Sequence, residues 1–508
     1  MSLYNNLGFT NHPFVKTNAD EEPHLAKYFV PPPFFDAVVG DAGTPNASIV
    51  LAPRGGGKTA LRRMVEEAAR DHRFLAVTYD RFEFSSGEKI SNITLQYHLR
   101  NIITRILVSY LSYLAEYPDL LKNLSKNEKQ QLSLFASSYL GSMRGDSLQE
   151  LLKELRSLPE RFRDFWQKNV GIFEPVINFL LKNYGLEAID FPDVRQEEKR
   201  LSETYKYQME SLLNLVNKLG FRSIYVLIDK PDETEQTGND PQATYRLIQP
   251  MVRDLELLGL KGYGFKFFLW DKVEEYHRDD ARPDRVPQYQ LNWKRMALQK
   301  VLTLRLQFFS GGSISSFREL VAEDPGFDID VTLGLMAYGS PRNLIRICER
   351  VFAVQAENNS DASNIDVNSL DQGVLNYCEQ YSLQTYSEDT LREVQRVGRE
   401  LFTVNYAAND VFKISQNAAR TKITGWNKLG LTRQIGTITV DTSKRPLNFY
   451  CIVDPAVVRL IHRTSSLSDF IKARWLPCSY CQTDNLMDIG LFPDENIPTC
   501  RECGRNLI

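Results

Sequence analysis

The chain has 508 residues, a length suited to roughly three or four domains. Its 61 Lys and Arg against 64 Asp and Glu give a net charge of -3, so the whole molecule is no polycation built to coat nucleic acid, and any basic surface has to be local. No run of about 18 apolar residues is present, which argues against a membrane partner. The polar N-terminus lacks a signal peptide's charged and apolar regions. Four of the seven cysteines form two close pairs near the C-terminus, a pattern of a cytoplasmic metal site rather than a disulfide framework.

In chain order, residues 1–89 open with a proline- and aromatic-rich lead-in. A buried strand at 46–51, a glycine-rich loop, a helix from Ala60 and a second strand at 74–79 follow. Residues 90–219 change texture. Ile103, Ile106, Leu107, Tyr110, Leu111 and Leu114 recur at helical spacing, and the stretch reads as a helical insertion. Strands return at 223–228 and 265–270 within 220–310, followed by a helix at 291–306. Residues 311–385 read as a helical lid, with a helix at 343–357 and a polar link at 357–364 that is a plausible boundary. Residues 386–470 read as a winged helix: a helix at 387–402, a short one at 409–413, a longer one at 417–429, then strands at 432–440 and 448–453 flanking a tip at 441–446. Residues 471–508 carry the paired cysteines. Strands alternating with long helical segments predict a three-layer α/β fold with a mainly parallel sheet.

Ala52-Pro53-Arg54-Gly55-Gly56-Gly57-Lys58-Thr59 fits the phosphate-loop pattern, with Ala at the first position where Gly is commoner. Three glycines let backbone N–H groups surround phosphate oxygens. Lys58 suits the β- and γ-phosphates of ATP, and Thr59 suits Mg2+. The residues from Arg54 to Ala60 are therefore the nucleotide contacts, at the positive end of the following helix. Ile224 to Ile228 is an apolar strand ending in Asp229, placed to hold Mg2+ or its water; a plain turn-capping Asp is the alternative.

Residues 401–477 hold 11 Lys and Arg against 4 Asp and Glu, a local net of +7. Arg420, Lys422 and Lys428 on the longer helix and Lys444 and Arg445 at the wing tip are the candidate contacts to double-stranded DNA. A winged helix used only for packing or dimer contacts is the alternative. Cys478-x-x-Cys481 and Cys500-x-x-Cys503, 18 residues apart, read as a zinc ribbon whose four thiolates make a closed, structural Zn2+ site.

The lead-in (Asn11, Pro13, Phe14, Glu21, Tyr28, Phe29), the loop, Asp229-Lys230-Pro231-Asp232-Glu233 and Gly339-Ser340-Pro341-Arg342 together look like one family. The chain resembles bacterial P-loop ATPases of the AAA+/STAND type related to origin-recognition ATPases. That resemblance implies that Glu233, with Asp232 second, takes the role of general base, since Lys230 directly after Asp229 cannot. It implies that Arg342 is a sensor arginine in the lid. It also implies a slowly hydrolysing ATP switch that self-associates on DNA, or that acts with an effector protein such as a nuclease in anti-phage defence. A sensor scaffold that recognises a protein through 90–219, without nucleic acid, is the competing expectation.

Overall fold

The computed structural model describes residues 2–84, 89–140, 204–280, 282, 284–438, 446–491 and 498–507. About half of the expected insertion, 141–203, and the wing tip with Lys444 and Arg445 lie outside the described residues. The chain divides into two compact units, Pro31–Leu291 and residues 1–30 with 292–508.

The first unit is built on a five-stranded sheet: β1 (Ser48–Ala52), β2 (Phe74–Tyr79), β3 (Ser223–Asp229), β4 (Tyr263–Trp270) and β5 (Gln288–Gln290). All pairings are parallel, in the order β2-β3-β4-β1-β5. Strands β1 to β4 are buried along their whole length, as expected of strands covered on both faces. Helix α1 (Lys58–His72) follows β1 and buries Leu61, Val65 and Ala69. Helix α2 (Leu95–Glu116) begins at Thr94, whose hydroxyl accepts from the Tyr97 amide. Its Ile103, Ile106 and Leu107 share one core with Val77 of β2 and Val226 of β3. The described start of 90–219 therefore covers the sheet directly.

β5 was not expected. Its Gln-Tyr-Gln sequence has no apolar pattern, and it is held as an edge by pairing with β1.

In the second unit the lead-in wraps helix α3 (Arg295–Phe309). Buried Arg305 donates to the Pro13 carbonyl and pairs with Glu22, while the Phe14 ring meets Phe352 edge-on at 5.2 Å. Helices α4 (Pro341–Asn358) and α5 (Val367–Thr385) pack so tightly that a Cβ on Gly373 would lie 2.6 Å from the Val351 Cα. The polar link at 357–364 is thus a turn between two helices of one core, which also holds Val351, Phe352, Leu370 and Val374.

The helix expected at 387–402 is shorter. Helix α6 (Glu388–Val397) stops at Gly398, which takes φ 73°, and Leu401–Thr403 is instead strand β6. β6 joins β7 (Thr432–Ile438) and β8 (Leu447–Ile452) in an antiparallel sheet of order β6-β8-β7. The short helix expected at 409–413 is part of a π-helical turn over Tyr406–Phe412. Helix α7 (Gln416–Lys428) is capped by Ser415, which accepts from the Ala418 amide at 3.2 Å. A final hairpin pairs β9 (Trp475–Pro477) with β10 (Asp484–Leu486). No described helix is long and apolar enough to cross a membrane.

Candidate nucleotide-binding site and metal centre

The phosphate loop turns from β1 into α1 through Gly55 and Gly57, at φ 76° and 91°, conformations that favour glycine. Gly56 is required for a different reason. A Cβ there would lie 2.9 Å from the Pro53 carbonyl oxygen and 3.2 Å from the Ala52 Cβ. At Gly56 the loop has no room for a side chain, and a backbone cradle of this kind fits a phosphate group. The Lys58 ammonium rests on the carbonyl oxygens of Ala52 and Pro53, at 3.1 and 3.3 Å. Burial lowers its pKa, against the opposing fields of Asp232, Asp229, Asp271 and Glu233. Four carboxylates thus converge on the one lysine of the loop.

Asp229 ends β3 fully buried. Thr59 stands close enough to Asp229 to oppose the rise of its pKa, so the two expected Mg2+ ligands are adjacent. Its Oδ1 accepts from the Lys230 amide at 3.0 Å, and its Oδ2 pairs with Arg62 Nε at 3.1 Å. Arg62 is 1% exposed and also binds Glu66 and the Thr78 hydroxyl. Burial raises the Asp229 pKa, and Arg62 is the strongest influence opposing that rise. A hard oxygen pair of this kind fits Mg2+, which binds through one or two protein oxygens and the phosphates of its nucleotide.

The turn after Asp229 is shaped by Lys230 at φ 57° and closed by the Glu233 amide donating to the Lys230 carbonyl at 3.1 Å. It separates the two base candidates. Asp232 is 2% exposed and salt-bridged to Arg54 Nε at 3.1 Å, whereas Glu233 is exposed. Arg54 also binds Asn239 and lies 4.5 Å over the Trp270 ring. It therefore ties the loop to the turn after β3 as well as standing among the expected phosphate contacts. Ala60 lies in the first turn of α1.

Arg62, Glu66, Thr78 and Asp80 were not singled out from the sequence. Asp80 follows β2 and stands close enough to Asp229 to push its pKa up. One buried oxygen of Asp80 and one of Asp271, after β4, have no hydrogen-bond partner. Thr59, Arg62 and Glu66 are three and then four apart, on one face of α1.

In the second unit, Tyr338 and Gly339 take φ 49° and 72°, and Ser340 caps α4 by accepting from the Asn343 amide at 3.2 Å. Arg342 is exposed in the first turn of α4. Helix α7 buries Ala419, Ile423 and Trp426 on one face. Arg420 and Lys428 lie exposed on the other, while Lys422 is half-buried and pairs with Glu393.

The sulfurs of Cys478, Cys481, Cys500 and Cys503 all lie within 4.8 Å of one another, with Cys478–Cys503 at 3.7 Å and Cys481–Cys500 at 3.5 Å. Four Zn–S bonds of about 2.3 Å set tetrahedral sulfurs roughly 3.8 Å apart, so the cluster fits zinc. The Glu502 amide and the Asn485 side-chain amide both point at the Cys500 sulfur, at 3.4 and 3.7 Å, the outer-layer hydrogen bonding that metal thiolates use.

No protein-family model matches the chain, and no curated protein does. Among solved structures, the chain is similar to the Aeropyrum pernix ORC2 protein in its ADPNP–ADP complexes, at 12% identity over 87% of this chain and 97% of that one, with a TM-score of 0.39. It is similar to the Aeropyrum pernix ORC1 protein in complex with DNA, at 10% identity over 89% and 98%, with a TM-score of 0.31. Drosophila ORC bound to DNA matches at 10% identity over 85% and 93%, with a TM-score of 0.28. At such scores the fold assignment rests on the chain itself: a five-stranded parallel α/β sheet with a phosphate loop between β1 and α1, and one strand between the loop's strand and that of Asp229.

Proposed function

We propose that this protein is an ATP-binding, slowly hydrolysing molecular switch of the AAA+/STAND kind. One observation carries the reading: the glycine cradle, Lys58, Thr59 and Asp229 converge at the C-terminal ends of β1 and β3, where open α/β sheets bind ligands. Lys58 would contact the phosphates, and Thr59 and Asp229 would hold Mg2+, which when bound would supply charge neutralisation at the transferring phosphoryl group. Lys230 occupies the position after Asp229, so the water-polarising role falls to Glu233, displaced to the exposed end of the turn after β3. This supports slow turnover. Residues 311–385 serve as a lid whose Arg342 responds to the nucleotide. The expected result is that Glu233→Gln lowers ATP hydrolysis by about 10²-fold or more while ATP affinity stays within twofold. Asp232→Asn, by contrast, weakens the Arg54 tether and with it nucleotide binding. Equal hydrolysis in wild type and Glu233→Gln would remove Glu233 from the mechanism.

A DNA-binding role is supported by α7. Its exposed face carries Asn417, Arg420, Thr421, Thr424, Asn427 and Lys428, and no acidic residue occurs in Gln416–Lys428. The helix, the π-helical turn before it and β7–β8 after it form the winged helix, and the zinc ribbon follows. Arg420→Ala with Lys428→Ala should weaken duplex-DNA binding and reduce its dependence on log salt by about two phosphate contacts. An unchanged salt slope favours the protein-recognition scaffold instead. Lys422 contributes less, because its ammonium is already paired with Glu393.

A further inference from the structure

The trio Arg62, Glu66 and Asp229 is a charge network inside the nucleotide site for which phosphate binding by itself has no need. A buried carboxylate at a strand end has to be paired or neutralised. In most settings where a carboxylate helps to hold Mg2+, the metal with its water provides that compensation. Here a guanidinium provides it. Arg62 is 1% exposed, its Nε lies 3.1 Å from Asp229 Oδ2, and its Nη1 is held by Glu66 one turn further along α1 and by the Thr78 hydroxyl on β2. Both anchors belong to the rigid frame of the sheet and its covering helix, so the guanidinium is fixed by α1 and β2 rather than by a loop. On its other side Asp229 accepts from the Lys230 amide, and its orientation is set before any ligand arrives.

We propose that Arg62 is a positioning residue that substitutes for part of the metal's charge at Asp229, so that nucleotide binding depends only weakly on Mg2+. This deepens the ATP-switch reading and rests on it. A positive charge already lies against one of the two oxygens of this carboxylate. Adding Mg2+ therefore gains less at this carboxylate than at an unpaired one, while binding of the nucleotide alone meets less repulsion. A switch built this way can keep its nucleotide through changes in free Mg2+.

The test is calorimetric titration of ATP into the full-length protein, with Mg2+ and with EDTA. The wild-type ratio of the two dissociation constants is expected to stay below about threefold, and a ratio above about tenfold in wild type overturns the proposal without need of any variant. In Arg62→Gln with Glu66→Gln, the trio keeps the same net charge but Asp229 loses its cation, and the ratio should rise at least tenfold. Glu66→Gln alone, and Arg62→Lys, should leave it near wild type. A ratio that is unchanged in the folded double variant, checked by thermal melting, also overturns the proposal. A merely structural Arg62 would change stability and not this ratio. If Lys58→Ala binds ATP as wild type does, the nucleotide reading itself fails. If Lys58→Ala loses binding while wild-type binding collapses in EDTA, only the role of Arg62 fails.

Discussion

At the scale of single residues, half-buried Lys58 and buried Arg62 are both cations near carboxylates, and they do different work. Lys58 sits on the loop's own carbonyl oxygens, within the field of four acids, and a phosphate can take over those contacts. Arg62 is committed to Asp229, Glu66 and Thr78. Removing it strands two buried carboxylates. Arg62→Leu is expected to destabilise the fold by about 3–5 kcal/mol in denaturant titration, and a loss under 1 kcal/mol would show that the network contributes little. Asp229 could be read from the sequence because a long apolar run ending in an acid is a strong pattern. Arg62 could not, because a charged residue inside an amphipathic helix ordinarily points to water, and only the fold turns that face of α1 onto β2 and β3. Arg54 was expected at the phosphates, and the fold adds a role: it ties the loop to Asp232.

At the scale of elements, the loop and β4 each carry a prediction. Gly56→Ala forces its Cβ against the Pro53 carbonyl and should reduce ATP affinity at least tenfold with little change in melting temperature, because the strain is confined to the loop. β4 carries Lys266, fully buried, with its ammonium 2.9 Å from the Asn46 side-chain oxygen, and burial lowers its pKa to about 7. The unfolded chain keeps this lysine protonated up to about pH 10. Between those values the unfolded state holds one more proton than the folded state, so stability rises with pH by about 1.4 kcal/mol per unit from this group. It is fully present above the unfolded pKa and is lost as pH falls toward 7. Lys266→Met should flatten that slope in melts from pH 7 to 10, and an unaltered slope would assign the pH dependence elsewhere. The inner strands were legible because burial on both faces demands continuous apolar runs. β5 was not, because an edge strand of Gln-Tyr-Gln is held by pairing alone. The end of α6 was missed because Leu401 and Phe402 continue its apolar spacing past Gly398, where the backbone turns left-handed.

At the scale of the whole molecule, two centres organise two units. The proposed nucleotide site sits on the sheet of Pro31–Leu291, and the cysteine cluster belongs to the other unit. The cluster's second loop is docked on the three-stranded sheet: Arg501 donates to the Val453 carbonyl at 2.7 Å, Thr499 to the Ile435 carbonyl at 2.9 Å, and Glu502 pairs with Arg433 at 3.0 Å. Metal analysis should find one zinc ion per chain, lost in Cys481→Ser with Cys500→Ser. That loss should expose the last 30 or so residues to proteolysis, because the loop folds around its metal. The cysteine spacing made this site readable. What the sequence did not show is the role of Arg501, which reaches beyond the cysteine cluster to Val453 and stacks 5.1 Å over the Tyr338 ring.

The central claim is that Lys58 and its glycine loop hold ATP, and calorimetric titration of ATP into wild type and Lys58→Ala tests it most directly. The account predicts measurable binding to wild type and a loss of at least about tenfold, equivalent to 1.4 kcal/mol, in a variant that melts within a few degrees of it. Equal affinity in the two proteins would contradict it.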